Sequence, residues 1–300
     1  MFKHILCPVD FSEPSAHAIQ YAIALARLHR ADLTALHVYP PAFVPPDAPV
    51  LDVRSRDDSL RTLETETAAL FADASMRGLR VEVLVEPGQP AREILTHAAE
   101  LPADVIVMGT HGAGGFEHLM LGSVAEKVLR KSTCPVLTVS PQAQFAADAP
   151  FRKFVCAVDF SEWSLAALEE ACALAEESRG SVTAVHVIEW PWNERPAADL
   201  EGIPDVQAAA LLEYRRYQET MARSRLAAVV AEVGRNRCRV DTRVSHGKPY
   251  TEVLCAAERE RADLIVIGVH GRNPLDVFFF GSTTHQVVRR APCPVLTLRH

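Results

Sequence analysis

The sequence predicts two α/β domains in tandem, each a parallel sheet of five strands flanked by helices. Three observations carry that reading. The chain repeats itself: "ILCPVDFSEPS" from Ile5 aligns with "FVCAVDFSEWS" from Phe154, and "TALHV" at 34–38 with "TAVHV" at 183–187, both 149 positions on. Gly88 with Gly247, Asp104 with Asp263, and "CPVLT" at 134 with "CPVLT" at 293 lie 159 apart, so the second copy holds ten extra residues between Val187 and Gly247. That is duplication of a whole domain, not a short solenoid repeat. Next, short apolar runs alternate with helical stripes inside each copy, the pattern of strand–helix units. Finally, those runs are apolar throughout, which suits strands buried on both faces of a parallel sheet.

In the first copy the runs at 3–9, 33–39, 81–86, 104–109 and 135–140 read as strands. Helices are expected at 13–30, 57–77, 90–100 and 122–131, the first with Ala18, Ala22, Leu25 and Leu28 on one stripe. The second copy repeats the strands at 153–158, 182–188, 238–244, 263–268 and 294–298, with a longer second helix over 205–233 that absorbs the insertion. The domains are placed at 1–143 and 150–300. Between them "SPQAQFAADAPF", residues 140–151, is rich in Ala and Pro and aperiodic, as a linker is. Proline-rich segments follow the second strand of both copies, "YPPAFVPPDAP" from 39 and "EWPWNERP" from 189. They read as long surface connections, with a lid or partner-binding loop as the sharper alternative.

Bulk properties exclude several classes of function. A 300-residue chain with 48% apolar and 23% charged residues has the composition of a soluble globular protein. Its net charge of -7 and lack of like-charge runs argue against nucleic-acid or anionic-membrane partners. No stretch approaches the roughly 18 apolar residues of a membrane span. "MFKHILCPVDFSE" reaches Asp10 without a signal-peptide core. Seven cysteines without a C-x-x-C pair argue against a disulfide framework or zinc ribbon. The expectation is a cytoplasmic protein with reduced thiols.

The chemistry gathers at two glycine loops. "VIVMGTHGAGGFEHLMLGSV", residues 105–124, leaves a strand through Gly109 and Gly112, crosses nine residues and resumes at Gly122-Ser123. "LIVIGVHGRNPLDVFFFGST", residues 264–283, repeats this with Gly268, Gly271, the same gap and Gly281-Ser282. Ligands of open parallel sheets bind at the carboxyl ends of the strands. Glycine lets a ligand approach the backbone, and the first turn of a helix offers unpaired N–H groups to phosphate. The bland alternative makes Ser123 and Ser282 simple N-caps, each stabilising its helix by about 1 kcal/mol, with glycines that only shape turns. Neither the Walker pattern nor G-x-G-x-x-G is matched.

The pattern G-x2-G-x9-G-[ST], behind a buried strand and ahead of "CPVL", resembles the nucleotide-binding signature of the universal stress protein family. "VDFSE" after the first strand and "HV" near the end of the second resemble it too, in both halves. The resemblance implies an adenine-nucleotide alpha-hydrolase-like fold with strand order 3-2-1-4-5 and ATP where strands 1 and 4 diverge. It places Pro8, Val9 and Asp10 on the adenosine side with Val38 against the base. Met108, Gly109 and Gly112 then cover ribose and phosphates, and Gly122, Ser123, Val124 and Ala125 receive the phosphates. In the second copy the matching residues are Ala157, Val158 and Asp159, then Val187, then Ile267, Gly268 and Gly271, then Gly281, Ser282, Thr283 and Thr284. Asp10 and Asp159 serve as ligand acceptors or cap the next helix.

The copies differ. ATP-binding members of the family often carry a basic or polar residue after the second glycine; the second copy has Arg272 and Asn273 there, the first Ala113, Gly114 and Gly115. Thr283 and Thr284 stand against Val124 and Ala125. The second site is therefore expected to be the stronger.

His37 and His111 recur as His186 and His270. They sit on strands two apart in the implied order, roughly 10 Å from strand spacing, whereas zinc ligands lie about 3–4 Å from each other. No metal site is expected. Recurrent Cys7, Cys156, Cys134 and Cys293 fall in apolar strands and read as core. No G-x-S-x-G elbow is present, and only Asp10 or Asp159 stands near a loop as a general base.

The leading reading is an ATP-binding regulator of the stress-response type. An interaction module with vestigial loops is the first alternative, and a slow ATPase with Mg2+ bound through the phosphates the second. The last strands, "CPVLTVS" and "CPVLTLR", would be exposed sheet edges, and such edges pair. The halves are therefore expected to form an intramolecular pseudo-dimer, which two chains extend to a homodimer of four domains.

Overall fold

The computed structural model describes residues 2–40, 53–111, 121–143, 145, 151–189, 205–234, 237–269 and 281–299. The first half runs β1 (His4–Val9), α1 (Glu13–His29), β2 (Asp32–Tyr39), α2 (Val53–Ala69), α3 (Ala72–Met76), β3 (Val81–Pro87), α4 (Pro90–Glu100), β4 (Val105–Gly109), α5 (Ser123–Lys131) and β5 (Val136–Val139). The second runs β6 (Lys153–Ala157), α6 (Glu162–Ser178), β7 (Ser181–Ile188), α7 (Asp205–Gly234), β8 (Arg239–His246), α8 (Pro249–Glu260), β9 (Leu264–Gly268), α9 (Ser282–Arg290) and β10 (Val295–Leu298). The expected strands are all present, with ends shifted by one or two residues.

All ten strands join one sheet in the order β3-β2-β1-β4-β5-β10-β9-β6-β7-β8. Each half thus has the order 3-2-1-4-5, with parallel neighbours inside it. The halves meet at β5 and β10, which pair antiparallel with Leu137 opposite Leu296. Two hydroxyls reinforce the seam: Thr138 donates to the Val295 carbonyl at 3.2 Å and Thr297 to that of Val136 at 3.1 Å. The expected pairing of the two edge strands is therefore made within the chain.

Apolar strands supply two core layers, one on each face. In β4, Val105 and Val107 enter one layer while Ile106 and Met108 enter the other; β9 divides in the same way. One layer packs α1, α6 and α7, the other α4, α5, α8 and α9. Both layers run through both halves, so the ten strands share their cores.

Asp104 and Asp263, landmarks of the repeat, pin the starts of β1 and β6. The Asp104 carboxylate accepts from the N–H groups of Lys3 and His4 at 2.6 and 2.8 Å, and Asp263 from those of Arg152 and Lys153 at 2.8 Å each.

Two expectations need correction, on the helix at 57–77 and on the linker. The single helix read over 57–77 is two helices, because Leu70 and Phe71 donate to the carbonyls three residues back, tightening the chain. That turn drives Phe71 into the core at 1% exposure. In the second half, as expected, α7 continues unbroken for 30 residues and takes up the insertion. The linker is also more than a tether: the rings of Phe145 and Phe151 lie 5.0 and 6.1 Å from that of Tyr21. Most of each proline-rich segment lies outside the described residues.

Below that linker His29, at the end of α1, is buried with Nδ1 2.7 Å from the Glu177 carboxylate of α6. Burial, aided by the N-terminal ammonium, pulls His29 down to about 4. A neutral, buried imidazole therefore lies between the halves. Between its ordinary value near 6.5 and about 4, the unfolded chain takes up a proton that the folded chain refuses. Stability should fall as pH drops through that window, by on the order of 3 kcal/mol at its acid end. Urea denaturation at stepped pH checks this, and His29→Gln should flatten the slope.

Candidate functional site

In each half the described residues of the expected site lie at the carboxyl edge of the sheet. The chain leaves β1 through Asp10, whose Oδ1 accepts from the backbone N–H and the hydroxyl of Ser12 at 3.1 and 2.5 Å. Ser12 in turn is the N-cap of α1, its side chain accepting from Ser15 N–H. Asp159, Ser161 and Ser164 repeat this. The cap read onto the aspartates thus belongs to the serines, and the carboxylates hold the cap serines in place.

Between them Phe11 and Phe160 sit at φ 60° and 66°, a left-handed backbone that costs a side-chain-bearing residue about 1–3 kcal/mol. Each ring is thereby turned onto a buried histidine, with centroids 4.7 Å apart for Phe11 and His37 and 4.4 Å for Phe160 and His186. The histidine Nδ1 atoms lie 2.9 and 2.7 Å from the Val9 and Val158 carbonyls. These imidazoles therefore brace the strand ends. Among the described residues no group of three or more His, Cys, Asp or Glu could hold a metal; His270 lies outside them. In the second half the Arg225 guanidinium stacks 4.2 Å above Phe160, a contact sequence reasoning missed because α7 is distant in the chain.

Gly109 and Gly268 end β4 and β9 for a packing reason. A Cβ on Gly109 would stand 3.0 Å from the Pro14 backbone, and one on Gly268 3.0 Å from that of Trp163. Only glycine lets α1 and α6 begin so near those strands. Gly112, Gly271 and Arg272 lie outside the described residues, as do Asn273 and Ala113 to Gly115.

After each loop the chain returns to the strand end. Gly122 N–H donates to the Thr110 carbonyl at 2.8 Å and Gly281 N–H to that of Val269 at 3.1 Å. Here the structure corrects the bland reading of the serines: the N-caps are Gly122 and Gly281, without side-chain capping bonds, and Ser123 and Ser282 are the first helical residues. The first helical bonds come from Glu126 and His285. Among the described residues nothing accepts from the N–H groups of Ser123, Val124 and Ala125, or of Ser282, Thr283 and Thr284. Three amides thus open each helix without a partner among the described residues, at the end that carries partial positive charge.

Side chains sort by face. Val38, Met108, Val124 and Ala125 share one core layer, as do Ala157, Val187 and Ile267. Val9 and Val158 turn into the opposite layer, so only their backbone is offered there. Pro8 is partly buried at the end of β1.

Thr284, expected as a phosphate donor, is 3% exposed, and its hydroxyl donates to the Gly268 carbonyl at 2.9 Å. It ties α9 to β9, so its side-chain proton is already used. Thr284→Val should cost about 1–3 kcal/mol by stranding that carbonyl, read from the denaturation midpoint. All seven cysteines are thiols. Burial pushes Cys7 and Cys293 up to about 12 and raises Cys156 as well, which suits core roles and not nucleophiles. No helix among the described residues is long and apolar enough to cross a membrane.

A family profile described as the universal stress protein family matches residues 1–140 and 150–299. A Bacillus subtilis universal stress protein, YxiE, is 36% identical over 151 residues, covering 46% of this chain and 99% of its own length. One from Mycolicibacterium smegmatis is 27% identical over 302 residues, covering 98% of this chain and 96% of its own. Among solved structures, a universal stress protein from Archaeoglobus fulgidus superposes with a TM-score of 0.69 at 24% identity, over 98% of this chain and 97% of that one. The fold is an α/β sheet of adenine-nucleotide alpha-hydrolase-like type, built twice. With the family profile matched in both halves, the chain belongs to the universal stress protein family.

Proposed function

We propose that the chain binds ATP at the carboxyl edges of β1 and β4 and of β6 and β9, and acts as a regulator whose conformation or partners follow nucleotide occupancy. The observation that carries this is the pair of glycine-capped helices, α5 and α9, opening toward the strand ends with three amides each that have no partner among the described residues. Phosphate oxygens are the acceptors such amides suit. In the first site Gly122, Ser123, Val124 and Ala125 take the phosphates, Gly109, Gly112 and Met108 the ribose side, and Pro8, Val9, Asp10 and Val38 the adenosine. In the second, Gly281, Ser282, Thr283 and the Thr284 amide take the phosphates, with Arg272 beside them. Ile267, Gly268 and Gly271 follow, and Ala157, Val158, Asp159 and Val187 hold the base side. Mg2+ would enter bound to the phosphates.

One observation favours the interaction-module reading: the packing of Gly109 and Gly268 against α1 and α6 explains those glycines without a ligand. Calorimetric titration of ATP into nucleotide-stripped protein decides between the two. On the ATP reading the wild type binds, Gly281→Val loses most of the affinity and Gly122→Val a smaller share. A folded wild type that binds no adenine nucleotide leaves the loops as scaffold. Turnover in the presence of Mg2+ would favour the ATPase instead.

A further inference from the structure

One cavity lies away from the glycine loops. It is a cleft of about 670 Å3 between the halves. The ends of α1 and α6, the short α3, and Phe145, Phe151 and Arg152 line it. The end of α1 leads directly into the start of β2, so this is the amino edge of the sheet, opposite the carboxyl edge where the ATP sites are proposed.

Its floor is apolar: Ile23 and Leu28 of α1 with Phe145 and Phe151 of the linker. Tyr21 braces both rings from below. Around the floor stand Arg27, Arg77, Arg152 and Arg179. Against these four cations are two carboxylates, Asp73 and Glu177, and Glu177 lies against His29. None of the four guanidinium groups makes an ion pair with a described residue. In a chain of net charge -7, a cationic rim over an apolar floor is a local reversal of sign.

We propose that this cleft binds a small organic anion with an apolar body, its anionic head met by the arginine rim and its body laid on the Phe145–Phe151 floor. Its volume and its placement between the two halves are marks of a small-molecule site, and the apolar floor beneath a cationic rim sets the chemistry of its ligand. Guanidinium groups suit a carboxylate or phosphate head. Such a ligand touches α1, α6 and the linker at once, and so joins the halves at a point separate from the β5–β10 seam.

The test is a fluorescence titration of the full chain with 8-anilinonaphthalene-1-sulfonate, an aromatic anion, at saturating ATP. The expected result is saturable binding at one site, reversed by decanoate but not by decanol. The pair Arg77→Glu with Arg152→Glu, both on exposed side chains, should weaken it about tenfold or more. Ile23→Trp, which fills the floor, should abolish it while the thermal transition stays cooperative. Non-saturable binding, indifference to the arginine pair, or equal displacement by decanol would overturn the proposal. Should Ile23→Trp fail to fold, the arginine pair and the decanoate–decanol comparison decide alone.

Discussion

Ser282→Asp is expected to abolish ATP binding at the proposed second site, and Ser123→Asp at the proposed first, without loosening either helix. Both serines are exposed first residues of helices whose glycine caps offer no side chain. A carboxylate there interacts favourably with the helix end, by about 0.3–1 kcal/mol. The same charge occupies the place proposed for phosphate and repels it. The affinity loss should exceed about 100-fold, or roughly 2.7 kcal/mol. Binding by calorimetry and melting temperature are to be measured on the same samples. Lost binding with an unchanged or raised melting temperature assigns the helix starts to phosphate. Retained affinity would show that the nucleotide sits elsewhere. This separates the ligand from the fold more cleanly than Gly281→Val, whose Cβ would lie 3.1 Å from the Val269 carbonyl and strain the loop closure.

The second large effect concerns the seam. Leu137 and Leu296 face each other across β5 and β10 and are each 1% exposed. Leu137→Ala and Leu296→Ala should each cost about 2–5 kcal/mol, the range for cavities in a packed core. Because the two side chains share one neighbourhood, the double variant should cost less than the sum of the singles. Both core layers cross the seam, so the wild type should unfold in one transition under urea. Two separated transitions, or strictly additive losses, would mean that the halves fold as independent units joined by a passive linker.

Much of the fold can be read in the sequence because it is written locally. Uninterrupted apolar runs located the strands, since a strand buried on both faces needs no polar alternation. The offset change from 149 to 159 placed the insertion on α7. At the loops, glycine followed by serine located the starts of α5 and α9, but not which residue caps. That depends on backbone angles: ψ 141° at Gly122 and 139° at Gly281 leave them outside the helix and put the serines within it. Thr284 shows the same limit. Its chemistry suggested a ligand, and its burial gave the hydroxyl to Gly268.

The sequence by itself determined the duplication, the α/β class, the strand positions and the two glycine loops, because each depends on residues near one another in the chain. Tertiary structure decided the break before α3, where Phe71 is drawn into the core, and the docking of Phe145 and Phe151 on α1. It also decided the stacking of Arg225 on Phe160 and the bond from the Ser140 hydroxyl to the Ala291 carbonyl, 151 residues away. Those contacts join residues with no shared local pattern, and only the packing of two core layers across one sheet brings them together.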